Sequence, residues 1–393
     1  MQKIYQNPTD PHFIQNPYNF YKKCRELGPL LFWSDYSMVT TFDHKTTSAI
    51  FRDKRFGRET PLELTRDIPN HLKAFYKNEV HSMLELEPPK HTRLRGLVMR
   101  AFTSRRIREL EPDILELSHQ LINEFPSEPF DLIPLYANKI PVIIIARLLG
   151  VPEDMADQLL KWSNDMVSMY QARRNREIED QAVKSCEEFV SFMQFYINEK
   201  RKKPGDDLIT HLLQAEEEGD KLSTDELIAT CILLLNAGHE ATVHTLGNGV
   251  KTILEHKINL KCLNGRSIAG TVEEILRYDP PLHMFTRFAY EDIEFGEHVF
   301  KRGDEVALML GAAGRDPKIW DNPESFIPER PIKINSALGG GIHFCVGAPL
   351  ARLELQIAIK VLFEQCPNIK LAIEPKYADL YHFHGLKKLI VTT

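Results

Sequence analysis

The stretch LGGGIHFCVGAPLAR, residues 338–352, sets a cysteine and a histidine two positions apart among four of the chain's 20 glycines. A cysteine thiolate is a nucleophile or a metal ligand. Zinc fits poorly, because Cys345 and His343 leave two ligands unaccounted for. A Cys–His catalytic pair normally draws its partners from distant segments. A lone cysteine is most often a small buried hydrophobe. The surroundings argue for more. Glycines lead in, and apolar residues at 350, 353, 357 and 361 follow at helical spacing. Cys345 is therefore expected in a loop just ahead of a helix, where free N–H groups and the helix dipole favour a thiolate. A flat macrocycle against the loop would explain why side chains are missing around it.

Three other groups could do chemistry. In EPPKHTRLRGLVMRAFT, His91 and Arg95 are one helical turn apart and can face one anion; seven Lys or Arg fall between 90 and 108 with no acidic residue. In EEILRYDPP, Glu274 and Arg277 share one helical face; read alone, the pair is a surface ion pair. In LLLNAGHEATVHTLG, Glu240 places a carboxyl among apolar neighbours, which is costly if unpaired. Gly238 nearby costs about 1 kcal/mol relative to Ala in a helix interior, so tight packing or a deformation is expected there.

The elements holding these residues are mostly helical. The clearest helix runs from about 224 to 255, opened by Ser223 and Glu226 as a capping box. At 1.5 Å per residue it spans about 48 Å, the width of a whole molecule. Its segment IATCILLL, 228–235, is apolar all round and should be buried on every side. Strands are expected within 29–42 and 288–310, with their short β-branched and aromatic runs. No repeat, low-complexity tract or linker divides the 393 residues, so one domain over 1–393 is expected. The chain is 43% hydrophobic and 26% charged, with net charge −6, which disfavours a general nucleic-acid binder. Six scattered cysteines without a CxxC fit a reducing cytosol. The N-terminus lacks an apolar stretch for a signal peptide or membrane anchor, so a cytoplasmic protein is expected.

GGGIHFCVGAPLAR resembles the haem-binding loop of the cytochrome P-450 family, Phe-Gly-x-Gly-x-His/Arg-x-Cys-x-Gly. Gly339, Gly341, His343, Cys345 and Gly347 match, while Leu338 stands where the family has Phe. The resemblance covers essentially the whole chain. It implies a mainly α triangular-prism fold with a long central helix and a small β-rich lobe. It makes Cys345 the axial ligand of haem b (iron protoporphyrin IX), a thiolate that favours O–O cleavage. Glu274 and Arg277 become a buried clamp completed by Arg330 in WDNPESFIPER, with Trp320, Pro323 and Phe326 in the same meander. His91, Arg95, Arg287 and His343 would hold the haem propionates by charge-assisted bonds. Ala237, Gly238, Glu240 and Thr242 would line the oxygen pocket, acid and alcohol delivering protons. Here the chain departs from the family: Ala241 stands where the alcohol is usual, and Thr242, one residue on, is rotated by about 100° around the helix.

The implied reaction inserts one oxygen atom from O2 into a C–H bond of a medium-sized hydrophobic small molecule. Electrons would come from a separate ferredoxin or flavodoxin with its reductase, docking at the basic 90–108 surface. A peroxide-driven hydroxylase and a non-catalytic haem protein binding a small ligand are the rival readings. Residues 75–84, 162–170 and 282–285 are expected to line the substrate pocket, with His283 as a polar handle; plain core packing is the competing reading of that apolar stripe.

Overall fold

The computed structural model describes residues 1–65, 67–170, 174–215 and 221–393. It is mainly helical with a small β-rich part. The helix Thr224–His256 organises the rest. Ser223 Oγ accepts from the Glu226 N–H at 3.2 Å, and Glu226 Oε2 accepts from the Ser223 N–H at 2.8 Å, so the capping box is complete. The 228–235 segment is buried as its composition demands, only Leu233 reaching partial exposure. Helices Lys139–Leu149, Ala156–Val167, Arg176–Lys202 and Ala348–Gln365 pack around this helix. Their apolar faces join it in the main hydrophobic core, with Ile145, Trp162, Phe189, Leu235 and Leu355 among its members.

Both expected strand regions contain strands. Leu30–Trp33 and Met38–Thr41 form a hairpin, and Met284–Ala289 and Glu305–Met309 pair antiparallel. Val39 opposite Val306 joins the two pairs in parallel. Among the described residues they lie in one six-stranded sheet, edged by Lys3–Ile4 and Phe56–Gly57. Three short C-terminal strands, Lys370–Leu371, Leu386–Lys388 and Ile390–Thr392, were not foreseen, nor was Lys376–Tyr377. Two or three residues are too few to show an alternating period.

The Glu274–Arg277 pair is not on the surface. Each side chain is 3% exposed. Arg277 Nε and Nη2 donate to Glu274 Oε2 and Oε1 at 2.6 and 2.7 Å. The remaining guanidinium N–H groups reach the carbonyls of Gly314, Pro323 and Ser325 at 2.8–3.0 Å. All five donors are used. Glu274 Oε1 also accepts from the Ile327 N–H at 2.8 Å and from Arg330 Nε at 3.3 Å. The clamp ties the helix Ser267–Tyr278 to the 314–330 meander that leads into the Cys345 loop.

Candidate active site

Cys345 lies between the turn Gly341–His343 and the helix Ala348–Gln365. The loop is closed by the Cys345 N–H donating to the Leu338 carbonyl at 3.1 Å. Gly339 and Gly341 have φ +72° and +67°, a region that favours glycine. A Cβ on Gly341 would also stand 2.0 Å from the Phe51 carbonyl oxygen. This corrects part of the expectation for the glycines. Gly341 answers to the backbone of the helix His44–Arg52, whereas a Cβ on Gly347 would sit 3.8 Å from the Cys345 sulfur.

The thiol's electrostatics are mixed. Burial raises its pKa, while the backbone N–H groups of Gly347 and Ala348 and the charges of Arg95 and Arg352 pull it down; burial prevails. The N–H donors expected of a helix start are present, and the remaining drive to thiolate is what a metal ion supplies, since a coordinating thiol is deprotonated outright.

Around the loop the structure gathers the predicted cationic residues. His91 and Arg95 stand on the helix Lys90–Ala101. The His91 ring lies 4.3 Å from that of His343, and Arg95 Nη2 donates to the Phe344 carbonyl at 2.6 Å. His343 Nε2 is 2.8 Å from Glu87 Oε1, which also accepts from the Arg58 N–H at 2.7 Å. Burial raises the Glu87 pKa, but these hydrogen bonds and the histidine charges outweigh it and keep the group ionised. His91 is pushed down to about 4 by burial and by the charges of His343 and Arg95. Its Nδ1 is buried without a partner.

Arg287, in the strand Met284–Ala289, is 3% exposed. It donates to the Thr286 carbonyl at 2.7 Å and lies over the Phe51 ring at 5.0 Å. Burial and Arg58 lower its pKa to about 10, so it remains a cation. Among the described residues no carboxylate forms an ion pair with it. A buried guanidinium without an ion pair and an orphaned buried imidazole nitrogen are each costly unless an anion belongs there. Two carboxylates of a haem fit that need, and the Cys345 loop fits its iron.

The basic run beside this site is partly neutralised. Arg93 pairs with Glu226, Arg105 with Glu109 at 2.9 Å, and Arg106 with Asp206 at 3.8 Å.

A second group lies on the long helix. Ala237 is exposed and Asn236, Gly238, Glu240, Ala241 and His244 are partly exposed, in the middle of a helix whose flanking turns are largely buried. Neither reason expected for Gly238 is found: the helix is unbroken, and an added Cβ would make ordinary contact with Ile145 at 3.7 Å. Thr242 is buried, its hydroxyl donating to the Gly238 carbonyl at 3.1 Å. Glu240 is not unpaired. His244 Nε2 lies 3.2 Å from its Oε1 and His239 Nε2 3.4 Å from its Oε2. Burial raises the Glu240 pKa, but the two histidines more than reverse it and hold it well below the usual carboxylate range.

The His283 expectation is overturned. Its ring is fully buried with Nδ1 2.8 Å from the Tyr21 hydroxyl, in contact with His384 rather than with a substrate pocket. Burial first, then the His384 charge, lowers its pKa to about 3. Phe285 is the residue of this stretch that reaches the Gly339 loop. Phe75, Met83, Trp162, Met166 and Met169 all join the main core, so packing accounts for much of that apolar stripe. Reading the sequence missed Arg58, Glu87 and His244. Only His244 had a signal, its i,i+4 spacing from Glu240.

The cytochrome P450 family model matches residues 11–258 and 268–367. The polyketide biosynthesis cytochrome P450 PksS of Bacillus subtilis is 37% identical, covering 100% of this chain and 99% of that one. The vitamin D(3) 25-hydroxylase of Pseudonocardia autotrophica is 35% identical over 97% of this chain and 94% of its own. The crystal structure of P450BioI in complex with an acyl carrier protein ligated to hexadec-9Z-enoic acid superposes with TM-score 0.91, at 34% identity over 97% of this chain and 99% of that one. The chain belongs to the cytochrome P450 family, whose members are haem-thiolate enzymes with a cysteine axial ligand.

Proposed function

We propose that this P450 is a monooxygenase that places one oxygen atom from O2 into a C–H bond of a medium-sized hydrophobic molecule, with electrons from a separate ferredoxin or flavodoxin. The observation that carries the reading is the pairing of a closed, glycine-shaped Cys345 loop with a buried cation, Arg287, that forms no ion pair among the described residues. When bound, thiolate-ligated haem supplies the oxygen-activating and C–H-oxidising chemistry.

The chain's own residues then have distinct tasks. Cys345 ligates, and the N–H groups of Gly347 and Ala348 stabilise its sulfur. Arg287, Arg95, His91 and His343 hold the propionates, the two arginines by charge-assisted bonds. Leu338 and Gly339 shape the loop. Ala237, Gly238 and Ala241 offer a strip of small residues against which O2 and substrate can lie. Glu240 is the acid of the proton route. Thr242 keeps its hydroxyl on the Gly238 carbonyl, which supports a water or a substrate hydroxyl as the donor nearest the reacting oxygen. The basic surface around Lys90 and Arg108 receives the redox protein.

Among the described residues no helix is long and apolar enough to cross a membrane. We further place the enzyme in the cytoplasm.

The test is spectroscopic first. The reduced protein with carbon monoxide should show the strongly red-shifted Soret band of thiolate-bound haem, and Cys345→His should move it to the globin-like position. A red-shifted band surviving in the variant overturns the ligand assignment. A spin-state screen over fatty acids (free and carrier-bound), terpenoids, steroids and macrolides then finds the substrate class. Reductant consumption matched to product separates the monooxygenase from a peroxide user, which ignores the reductant.

A further inference from the structure

Glu240 sits between two imidazoles from its own helix. His244 is one turn on and presents Nε2 at 3.2 Å to Oε1; His239 presents Nε2 at 3.4 Å to Oε2. Hydrogen-bond matching constrains His239. Its Nδ1 faces the Leu235 carbonyl at 2.8 Å, an acceptor only, so Nδ1 carries a proton. Its Nε2 lies 3.4 Å from the Asn164 side-chain amide as well as near Glu240. The His239 side chain is 1% exposed, whereas His244 and Glu240 are 16% and 18% exposed. The trio therefore runs from a fully buried end to a partly exposed one. His244 is fixed from the other side by the C-terminal segment: a Cβ on Gly385 would fall 1.9 Å from its Nδ1.

A carboxyl held ionised between two imidazoles has no proton of its own to give at neutral pH; any proton it passes on must first be handed to it. We propose that His244 is the solvent-side proton carrier of this enzyme, reloading Glu240, and that His239 is the buried residue that fixes the carboxylate. In each transfer His244 Nε2–H gives its proton to Glu240 Oε1, leaving neutral imidazole and carboxylic acid. The acid passes the proton on toward the oxygen pocket, and a proton taken up from bulk solvent restores His244. Position 241 lies about 100° round the helix from 240, so His244 does not replace the missing alcohol there. It feeds the acid behind it. Both histidines act through Glu240 and are positioning residues. The inference rests on the monooxygenase reading.

Two substitutions separate carrying a proton from holding a side chain. His244→Gln keeps a donor to Glu240 but cannot shuttle a proton; His244→Phe removes both. Haem content and the carbon monoxide band of each variant, at wild-type values, certify the fold. Infrared difference spectra against Glu240→Gln, recorded without reductant, follow the Glu240 carboxylate alone. Its titration midpoint should rise by about one pH unit or more in His244→Phe, a tenfold change in the acid constant. An unchanged midpoint overturns the contact. With substrate and reductant, both variants should lose about tenfold or more of the electrons reaching product, less than the hundredfold or more of a lost acid–base group because Glu240 itself remains, and release peroxide instead. If His244→Gln couples like the wild type, His244 is only a hydrogen-bond donor and the carrier role is overturned. A wild type that consumes no reductant with any substrate overturns the monooxygenase reading and the relay together; a coupled wild type matched by both variants overturns the relay alone.

Discussion

Glu274→Ala should destabilise the protein by about 3–5 kcal/mol, the cost of breaking a buried ion pair from one side. The structure shows where that comes from. Arg277 keeps its charge at 3% exposure and loses two acceptors, and the Ile327 N–H loses its partner. Each orphaned donor costs about 1–3 kcal/mol, with water in the vacated space relieving part of the sum. Arg330, 3.3 Å from the same carboxylate, then faces Arg277 without an intervening anion. The loss is a large share of a total stability of about 5–15 kcal/mol. Urea unfolding of the haem-loaded protein, followed by far-ultraviolet circular dichroism, should show a lower midpoint at unchanged slope. Arg277→Lys should not rescue, because one ammonium cannot reach a carboxylate and three carbonyls at once. Glu274→Ala combined with Arg277→Met should be milder than Glu274→Ala alone, since no buried charge is left over. A single variant within about 1 kcal/mol of wild type, less than one uncompensated donor costs, refutes the argument. So does a double variant worse than both singles.

Three further outcomes follow from individual residues. Glu354 is 2% exposed with an unpartnered carboxylate oxygen, and burial raises its pKa to about 8. From the ordinary carboxylate range up to about pH 8 the native state holds a proton the unfolded chain releases. Stability should therefore fall with rising pH, by up to about 1.4 kcal/mol per unit, and level off above; Glu354→Gln should abolish that slope in urea midpoints taken at pH 5, 6.5 and 8, and an unchanged slope counts against it. Ala241→Thr should raise the product-to-peroxide ratio for poorly matched substrates and change little for the native one, whereas uniform loss of coupling in Thr242→Ala would show that the Thr242 hydroxyl is the donor. Leu338→Phe should change the reduction potential or haem retention with the fold intact, and no change in either would mean the position does not tune the site.

Local signals carried much of the architecture. The capping box and the all-round apolar IATCILLL marked the long helix to within a residue of its end, because capping and burial are written in adjacent positions. The glycine loop ahead of an apolar-periodic helix located Cys345 for the same reason. The C-terminal strands escaped because two or three residues show no period, and one of their pairings reaches far along the chain: Ile390 opposes Asp131. Gly238 looked like a packing residue and is not, since the neighbour that decides it, Ile145, lies on another helix.

The sequence by itself determined the type of chemistry: one cysteine in a glycine loop, an acid in a long buried helix, and cations spaced by one turn. Those are statements about residue types at short separations, and short separations translate directly into geometry on a helix or a turn. Tertiary structure alone decided how each group is charged and what it touches. Glu274 and Arg277 are a buried clamp because three distant carbonyls converge on one guanidinium. His283 turns from any substrate toward Tyr21 and His384. His91 and Arg287 are both pushed down from their ordinary pKa values because burial acts through the whole surrounding shell. Glu240 is an ionised carboxylate between two imidazoles rather than a lone acid, through contacts the helix makes along its own face and burial supplied by its neighbours. Desolvation and Coulomb energy depend on every atom within several ångströms, and most of those atoms come from elsewhere in the chain.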